Sequence, residues 1–498
     1  MTSGFDDVVA GGGTAGAVLA ARLSEDQGRR VLLIEAGPDP AGPDAPADTL
    51  GIPVVSGHNW DYRAYVGPEP TGRTALYPLG RLLGGTSAIN GAIALRGLPA
   101  DFDAWAAAGN PEWSWAETGP WYTALEADGG PVPIHRAGPD ELGVLAGAFL
   151  RACHGLGLPV LPDSGAGTGT GAGPIPCNGR DGRRYATTRT HLGPARDRPN
   201  LTVWPGCMVD RVLLSGERAN GVQVIRDGRV TRVPADRVTL TAGGIGTPAV
   251  LQRSGIGPAA RLAALGVRPR VDLPGVGLGL TDHPAVPIWT HPLPAACRDG
   301  GPWYQVMARA ASDGGDPDLA VFLAADISTG GLPEAGGALG TRTAAMISSV
   351  LLRPESRGSV LIRTPDPTDR PEIVLGLATA PADVERLMRA VRLAWSVVRA
   401  PEFAANLKRV LVWTDRMVSE DRLLRGALAR WTVPLFHAAG TARMGPADDA
   451  AAVVDGRGRV HQVAGLRVAD ASVFPSQPSA PPALTCVLLA ERMARWMR

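Results

Sequence analysis

Hydrophobic and polar positions fall into three consecutive patterns near the start of the chain. DVVAGGGTAG (Asp7–Gly16) opens on a short apolar run and ends in glycines, AVLAARLSE follows with helical spacing, and VLLIEAG closes a second apolar run on Glu35. These patterns predict a buried strand, a glycine turn, a helix and a second strand ending on an acid. Farther along, LTV at Leu201, RVLL at Arg211, RVTLTAGG at Arg237, AAMISSVLLR at Ala344 and SVLIRT at Ser359 read as strands, whereas ADVERLMRAVRLAWSVV at Ala382 reads as a helix. The stretch from about 38 to 77, rich in Pro, Gly and Asp, predicts a loop-dominated lid. Leu161–Gly182, dense in Gly and Pro, predicts a long functional loop or a domain crossover. No repeat of solenoid length interrupts this order.

Strand, glycine turn, helix, strand and acid are the order that a βαβ dinucleotide site requires. The spacing Gly11-x-Gly13-x-x-Gly16 supplies a tight turn, close backbone approach to a pyrophosphate and close packing of helix on strand, with the helix N-terminus facing the phosphates. Thr14 and Ala15 open that helix and join the candidate contacts. Glu35, 19 residues beyond Gly16, is placed to accept hydrogen bonds from a ribose, with Ala36 beside it. An acid at position 35 disfavours a ribose 2′-phosphate. NADP is therefore set aside, and FAD and NAD remain.

Two further glycine-rich segments, RLLGGTSAING at Arg81–Gly91 and GGIGTPAVLQRSGIG at Gly243–Gly257, choose between them. Together with NPEWSW at Asn110, RPNLTV at Arg198, LPGVGLGLTDHP at Leu273, SRGSVLIRTPDP at Ser356, HAAGTARMG at His437 and GLRVADASVFP at Gly465, the chain resembles the glucose-methanol-choline (GMC) family of FAD oxidoreductases over nearly its whole length. The resemblance implies an α/β fold in which a Rossmann-like FAD-binding domain is combined with a discontinuous α+β substrate domain. The expected division is residues 1–155, 194–285 and 432–498 for FAD, and 156–193 and 286–431 for the substrate domain. It also implies that Arg81, Gly84, Gly85, Thr86, Ser87, Asn90, Gly91 and Ala92 lie beside the pyrophosphate and isoalloxazine. By the same resemblance, Ala242 and Gly243 are expected to form the second FAD contact, Val209 to offer backbone to adenine, and Asp470 and Ala471 to hold the pyrophosphate or ribityl chain. Some family members tether flavin through a histidine where this chain has Ile89, so the FAD is expected to be non-covalent.

Composition narrows the classes. A net charge of +1 gives no field to gather nucleic acid or anionic lipid. Lys408 is the only lysine among 49 basic residues, which leaves Schiff-base chemistry and a P-loop lysine almost no candidate. Cys153, Cys177, Cys207, Cys297 and Cys486 are odd in number and dispersed, forming neither a disulfide framework nor a zinc pattern. The eight histidines show neither HxxxH nor HxH spacing, so no metal is expected. With no leader pattern and no apolar run of membrane-spanning length, the expected location is cytoplasmic.

His437 carries the expected chemistry. Alcohol oxidation by hydride transfer needs the hydroxyl proton removed as hydride leaves the adjacent carbon for flavin N5, and imidazole titrates near neutral pH. Its place in HAAGTARMG is the family's catalytic-histidine position. The family normally supplies a second His or Asn opposite it, and counting places that position on Pro481, which cannot hydrogen-bond through its side chain. Gln477, Ser479, a backbone group or a substrate-domain residue is left to serve instead. Asp282-His283 reads as an interior structural pair. The expected function is oxidation of a small-molecule alcohol through choline-dehydrogenase-like GMC chemistry, with oxygen, a quinone or a redox protein as electron acceptor. The alternatives are a lyase or decarboxylase on the same fold, and a relay passing electrons from a reduced carrier of the mycofactocin type to a respiratory acceptor.

Overall fold

Val8, Val9 and Ala10 are all buried, and so are Val31–Ile34. Runs buried on both faces need no polar alternation when helices cover both sides of a parallel sheet. The computed structural model, which describes residues 4–39, 58–166, 169–180, 182–297, 302–329 and 342–498, has that arrangement. Phe5–Ala10 lies between Val31–Ile34 and Arg229–Leu240, parallel to both. Leu201–Trp204 and Leu466–Val468 extend the sheet at its two sides. The first half of Arg229–Leu240 leaves this plane and pairs antiparallel with Arg218–Arg226, which pairs in turn with Cys207–Ser215. Helices Thr14–Leu23 and Ala483–Met497 pack on each other over the parallel strands, so the two ends of the chain share one core.

A second sheet is antiparallel, in the order Leu407–Val410, Pro284–Pro292, Thr343–Leu351, Leu319–Ser328, Tyr304–Ala310 and Gly171–Pro174. The helix Pro381–Arg399 covers one face, burying Leu387, Val391, Ala394 and Val398 against Ile347 and Val321. These positions recur every three or four residues, the stripe expected of a helix with one apolar side.

The packing departs from expectation in several places. Residues 40–57 of the expected lid lie outside the described residues. Tyr62–Tyr65 and Thr74–Tyr77, however, form a hairpin in a five-stranded sheet with Leu278–Leu280, Gly358–Leu361 and Glu372–Val374. Tyr62, Ala64 and Tyr77 turn inward while Arg63 stays exposed, an alternation masked by the surrounding Pro, Gly and Asp. Within Leu161–Gly182, Gly171–Pro174 is an edge strand rather than loop. Leu161 N–H donates to Ala172 O at 2.8 Å, and a Cβ on Gly173 would stand 1.8 Å from Leu161 O, so glycine is what lets the two backbones meet. Core membership can be read on either side of the antiparallel edge strand. Helix Val144–Gly155 packs with the antiparallel sheet, whereas Leu192 and Ala195 pack with the parallel one.

Candidate active site

The strand ends, the glycine segments and one face of the antiparallel sheet enclose a cavity of about 680 Å³. At one end the three glycines of the first turn have different duties. A Cβ on Gly16 would lie 1.9 Å from Gly11 O, so this residue closes the helix against the strand, the packing expected of the third glycine, and it is not part of the cavity wall. A Cβ on Gly13 would meet only Gly85 Cα, at 3.8 Å, because the space before it is open. Gly11, Gly13, Thr14 and Ala15 all line the cavity.

Glu35 is buried beside them. Its Oε2 accepts from Gly12 N–H at 2.9 Å and its Oε1 from Gly37 N–H at 2.8 Å. Burial pushes its carboxyl up to about 7 against the pull of those donors. Ala36, Arg81 and Val209 complete this end of the cavity wall.

The segment Gly80–Ala92 stacks on the first turn through backbone. Gly84 N–H donates to Gly12 O at 2.7 Å, and a Cβ on Gly85 would stand 2.7 Å from Gly13 Cα. Gly85, Thr86, Ser87, Asn90 and Gly91 line the cavity, but their polar groups are largely spent on the loop itself. Ser87 Oγ donates to Gly84 O, Thr86 Oγ1 accepts from Gly80 N–H, and Asn90 Oδ1 accepts from Ala92 N–H. Two expected contacts fall outside the cavity wall: Gly84 faces Thr188, and buried Ala92 turns its carbonyl to Asn178. Ala242, Gly243, Asp470 and Ala471 do line it. Asp470 Oδ2 accepts from Gly243 N–H at 2.9 Å and from Thr247 Oγ1 at 2.6 Å, holding the N-terminus of helix Gly243–Arg253 toward the space.

At the other end, strand pairing brings two histidines together. Ala285 pairs with Val433 and Pro284 with Pro434, while Thr281 and Ala439 exchange backbone hydrogen bonds of 3.0 and 3.1 Å. His283 and His437 lie between these pairings, and both line the cavity. Their Nδ1 atoms are 2.8 Å apart. Asp282 Oδ1 accepts from His437 N–H and its Oδ2 from Tyr77 Oη–H, so Asp282 is structural as expected, but His283 is not: its ring forms part of the site.

The tautomers follow from the partners. His283 Nε2 lies 3.0 Å from Pro478 O, an acceptor only, so Nε2 carries the proton. Burial drives His283 down to about 4 and keeps the ring neutral, which makes its Nδ1 an acceptor. His437 must then donate from Nδ1, leaving Nε2 with the free lone pair. Burial and the neighbouring His283 hold His437 well below the usual histidine range. Gln477 Nε2 donates to the backbone carbonyl of His437 at 3.1 Å and lies 3.4 Å from His283 Nδ1.

Pro481 lines the cavity, and the nearby polar residues do not replace a second histidine across from the first. Ser479 gives both its N–H and its hydroxyl to buried Asp101, at 2.7 Å each. The partner of His437 is therefore His283, more than 150 residues earlier in the chain. Its signal was present in LPGVGLGLTDHP, but only the strand pairing shows what the ring touches.

A GMC oxidoreductase family profile matches residues 5–285, and the profile of the family's C-terminal part matches 354–490. The chain belongs to the GMC oxidoreductase family. It is 35% identical to a 5-(hydroxymethyl)furfural oxidase of a Methylovorus strain, with 98% of each chain covered, and 31% identical to an oxygen-dependent choline dehydrogenase of Chromohalobacter salexigens, covering 99% of this chain and 95% of that one. A crystal structure of pyridoxine 4-oxidase from Mesorbium loti superposes with a TM-score of 0.90 at 34% identity, covering 99% of both chains. This GMC protein is an FAD-dependent oxidoreductase, and its cradle suits that cofactor. Open space before Gly13, a buried acid on the cavity wall, and two helix N-termini facing one cavity suit a dinucleotide diphosphate. Among the described residues no helix is long and apolar enough to cross a membrane, and no cluster of side chains could hold a metal.

Proposed function

We propose that this GMC oxidoreductase oxidises the CH–OH group of an alcohol, with His437 Nε2 as general base. The observation that carries this reading is the His283–His437 pair, whose hydrogen bonds leave one basic nitrogen on a cavity wall. FAD, when bound, supplies the hydride acceptor. His437 Nε2 takes the hydroxyl proton while the adjacent carbon gives up hydride and becomes a carbonyl. The positive charge that develops on His437 shortens and strengthens its Nδ1–H bond to neutral His283. Relatives named for acting on hydroxymethylfurfural, pyridoxine and choline, all of them alcohols, support the same class.

Glu35 is assigned to the ribose, the N-terminus of helix Thr14–Leu23 to the pyrophosphate, Val209 to the adenine, and Gly80–Gly91 with Ala242, Gly243, Asp470 and Ala471 to the pyrophosphate, ribityl chain and ring. The parallel-sheet core is the FAD-binding unit, and the antiparallel sheet closes the substrate side. Ile89, an aliphatic residue on the cavity wall, cannot bond to flavin, so FAD is held non-covalently.

Anaerobic mixing with alcohols tests the reaction. A true substrate bleaches the flavin in the absence of any other oxidant, whereas lyase or decarboxylase chemistry returns it unreduced. Acid precipitation should release the yellow colour into solution; colour that stays in the pellet contradicts non-covalent binding.

A further inference from the structure

The cavity wall is chemically divided. Seven carboxylate or guanidinium residues line it: Glu35, Asp61, Arg81, Arg253, Asp369, Arg370 and Asp470. All of them belong to the parallel sheet, its glycine segments, or the five-stranded sheet and its loops. The antiparallel sheet and the strand leading to His437 contribute only neutral groups among the described residues. These are Trp303, Tyr304, Phe322, Val350, Leu352 and Leu435, with Ser348 as a small polar point among them. Phe322, Val350 and Leu352 pack as one apolar cluster with Ala480, behind the cavity wall that carries Pro481. Tyr304 lies directly against the glycine segment, since a Cβ on Gly91 would stand 3.0 Å from its ring. The aromatic wall therefore begins where the segment assigned to the flavin ring ends.

We propose, on the alcohol-oxidation reading above, that this half of the cavity takes an uncharged, ring-bearing alcohol. The flat apolar ring lies against Tyr304 and Phe322, with its carbinol carbon toward His437. A carboxylate or ammonium on the substrate would lose its hydration here without gaining an opposite charge, whereas an aromatic or other flat ring trades water for apolar contact and edge or face contact with the two aromatic side chains. Pro481 has the same effect, because it places an apolar ring where a polar side chain would otherwise demand a hydrogen-bonding substrate group.

The test uses the purified holoprotein under anaerobic conditions with benzyl alcohol, 4-(hydroxymethyl)benzoate, choline and glycerol, following flavin bleaching. The rate constant for reduction divided by substrate Kd should be at least about ten-fold higher for benzyl alcohol than for each of the others. Titration with benzamide, which cannot react, should perturb the flavin absorbance, and choline should not. Phe322→Ala should raise the Kd of both benzyl alcohol and benzamide by about ten-fold, more than it lowers the limiting rate. Phe322→Leu, which keeps most of the volume, guards against a folding defect and should fall between. Faster reduction by choline, by the carboxylate or by glycerol overturns the substrate class while leaving alcohol oxidation standing. If no alcohol bleaches the flavin, the alcohol reading falls and the substrate class falls with it.

Discussion

The two ends of the cavity are built by opposite means. The nucleotide end is made of backbone brought together by missing side chains. Gly13 and Gly85 meet through their Cα atoms, Gly84 N–H reaches Gly12 O, and Glu35 is tied to Gly12 and Gly37 by main-chain donors. The histidine end, proposed as the catalytic one, is made of side chains from distant segments, with His283, His437, Gln477 and the carbonyl of Pro478 joined by hydrogen bonds. A site built from local backbone excludes a Cβ wherever two main chains touch, as at Gly16 and Gly85, and uses little side-chain chemistry. A site built from a side-chain chain of donors and acceptors tolerates small shifts in shape, yet loses its proton arrangement when one member changes.

Substitution within the first glycine turn should give the largest effects and separate its two duties. Gly16→Val places a Cβ inside contact distance of Gly11 O and Thr241 Oγ1, so no soluble folded protein is expected. Gly13→Val puts its side chain into open space at ordinary backbone angles, and should yield folded protein that retains almost no flavin. Circular dichroism melting and the flavin-to-protein absorbance ratio measure the two outcomes. A yellow Gly13→Val protein would mean that the phosphates lie elsewhere.

At the catalytic end, His437→Ala should retain FAD and slow substrate-driven flavin reduction by about 10²- to 10⁴-fold, the contribution of a general base. The pH profile sharpens this. His437 is held well below its ordinary value of 6.5, so the neutral, basic form persists on acidification, and the wild-type rate should stay flat as pH is lowered through 6.5 and fall only at pH well below that value. Stopped-flow traces that lose half their rate near 6.5 would show that burial does not hold His437 below its ordinary value.

His283→Ala should cost less, about 10- to 10²-fold, because it removes orientation and tautomer control but leaves the base in place. Its signature is a shift of the acid limb toward higher pH, since water entering the space left by the ring relieves the burial that holds His437 below its ordinary value. Unchanged pH dependence with a lowered rate would assign His283 a packing role only. Gln477→Leu should have the smallest effect, a loss of about 0.5–1.5 kcal/mol of stability with a rate change well below that of His283→Ala. It removes the donor to His437 O and leaves the histidine pair intact, and chemical denaturation with flavin reduction kinetics reports both.

Legibility followed the same division. The glycine turn, Glu35 and the segment at Arg81–Gly91 could be read because each needs only a few consecutive residues in one backbone shape. Even there, Gly84 and Ala92 were expected at the cavity and lie outside its wall, because spacing tells which residues share a turn and not which way each faces. The hairpin of Tyr62–Tyr65 and Thr74–Tyr77 was hidden by loop-like composition, its partners being strands some 200 to 300 residues later. His283 stood in a quoted motif and was assigned to the interior, since nothing local shows that residues 281–285 pair with 433–439.

The amino-acid sequence by itself determined the βαβ nucleotide turn, the preference for FAD, membership of the GMC family and the position of the basic histidine. These rest on short-range backbone geometry and on motifs in a recognisable order. Only the tertiary structure decided that His283 is the partner of His437, that Pro478 O sets which nitrogen of each ring carries the proton, and that one cavity wall is neutral and aromatic among the described residues. The physical reason is that proton position and wall polarity are properties of contacts between strands far apart in the chain. A hydrogen bond spanning 154 residues, or an apolar face assembled from four strands, is created by sheet register and has no local pattern to announce it.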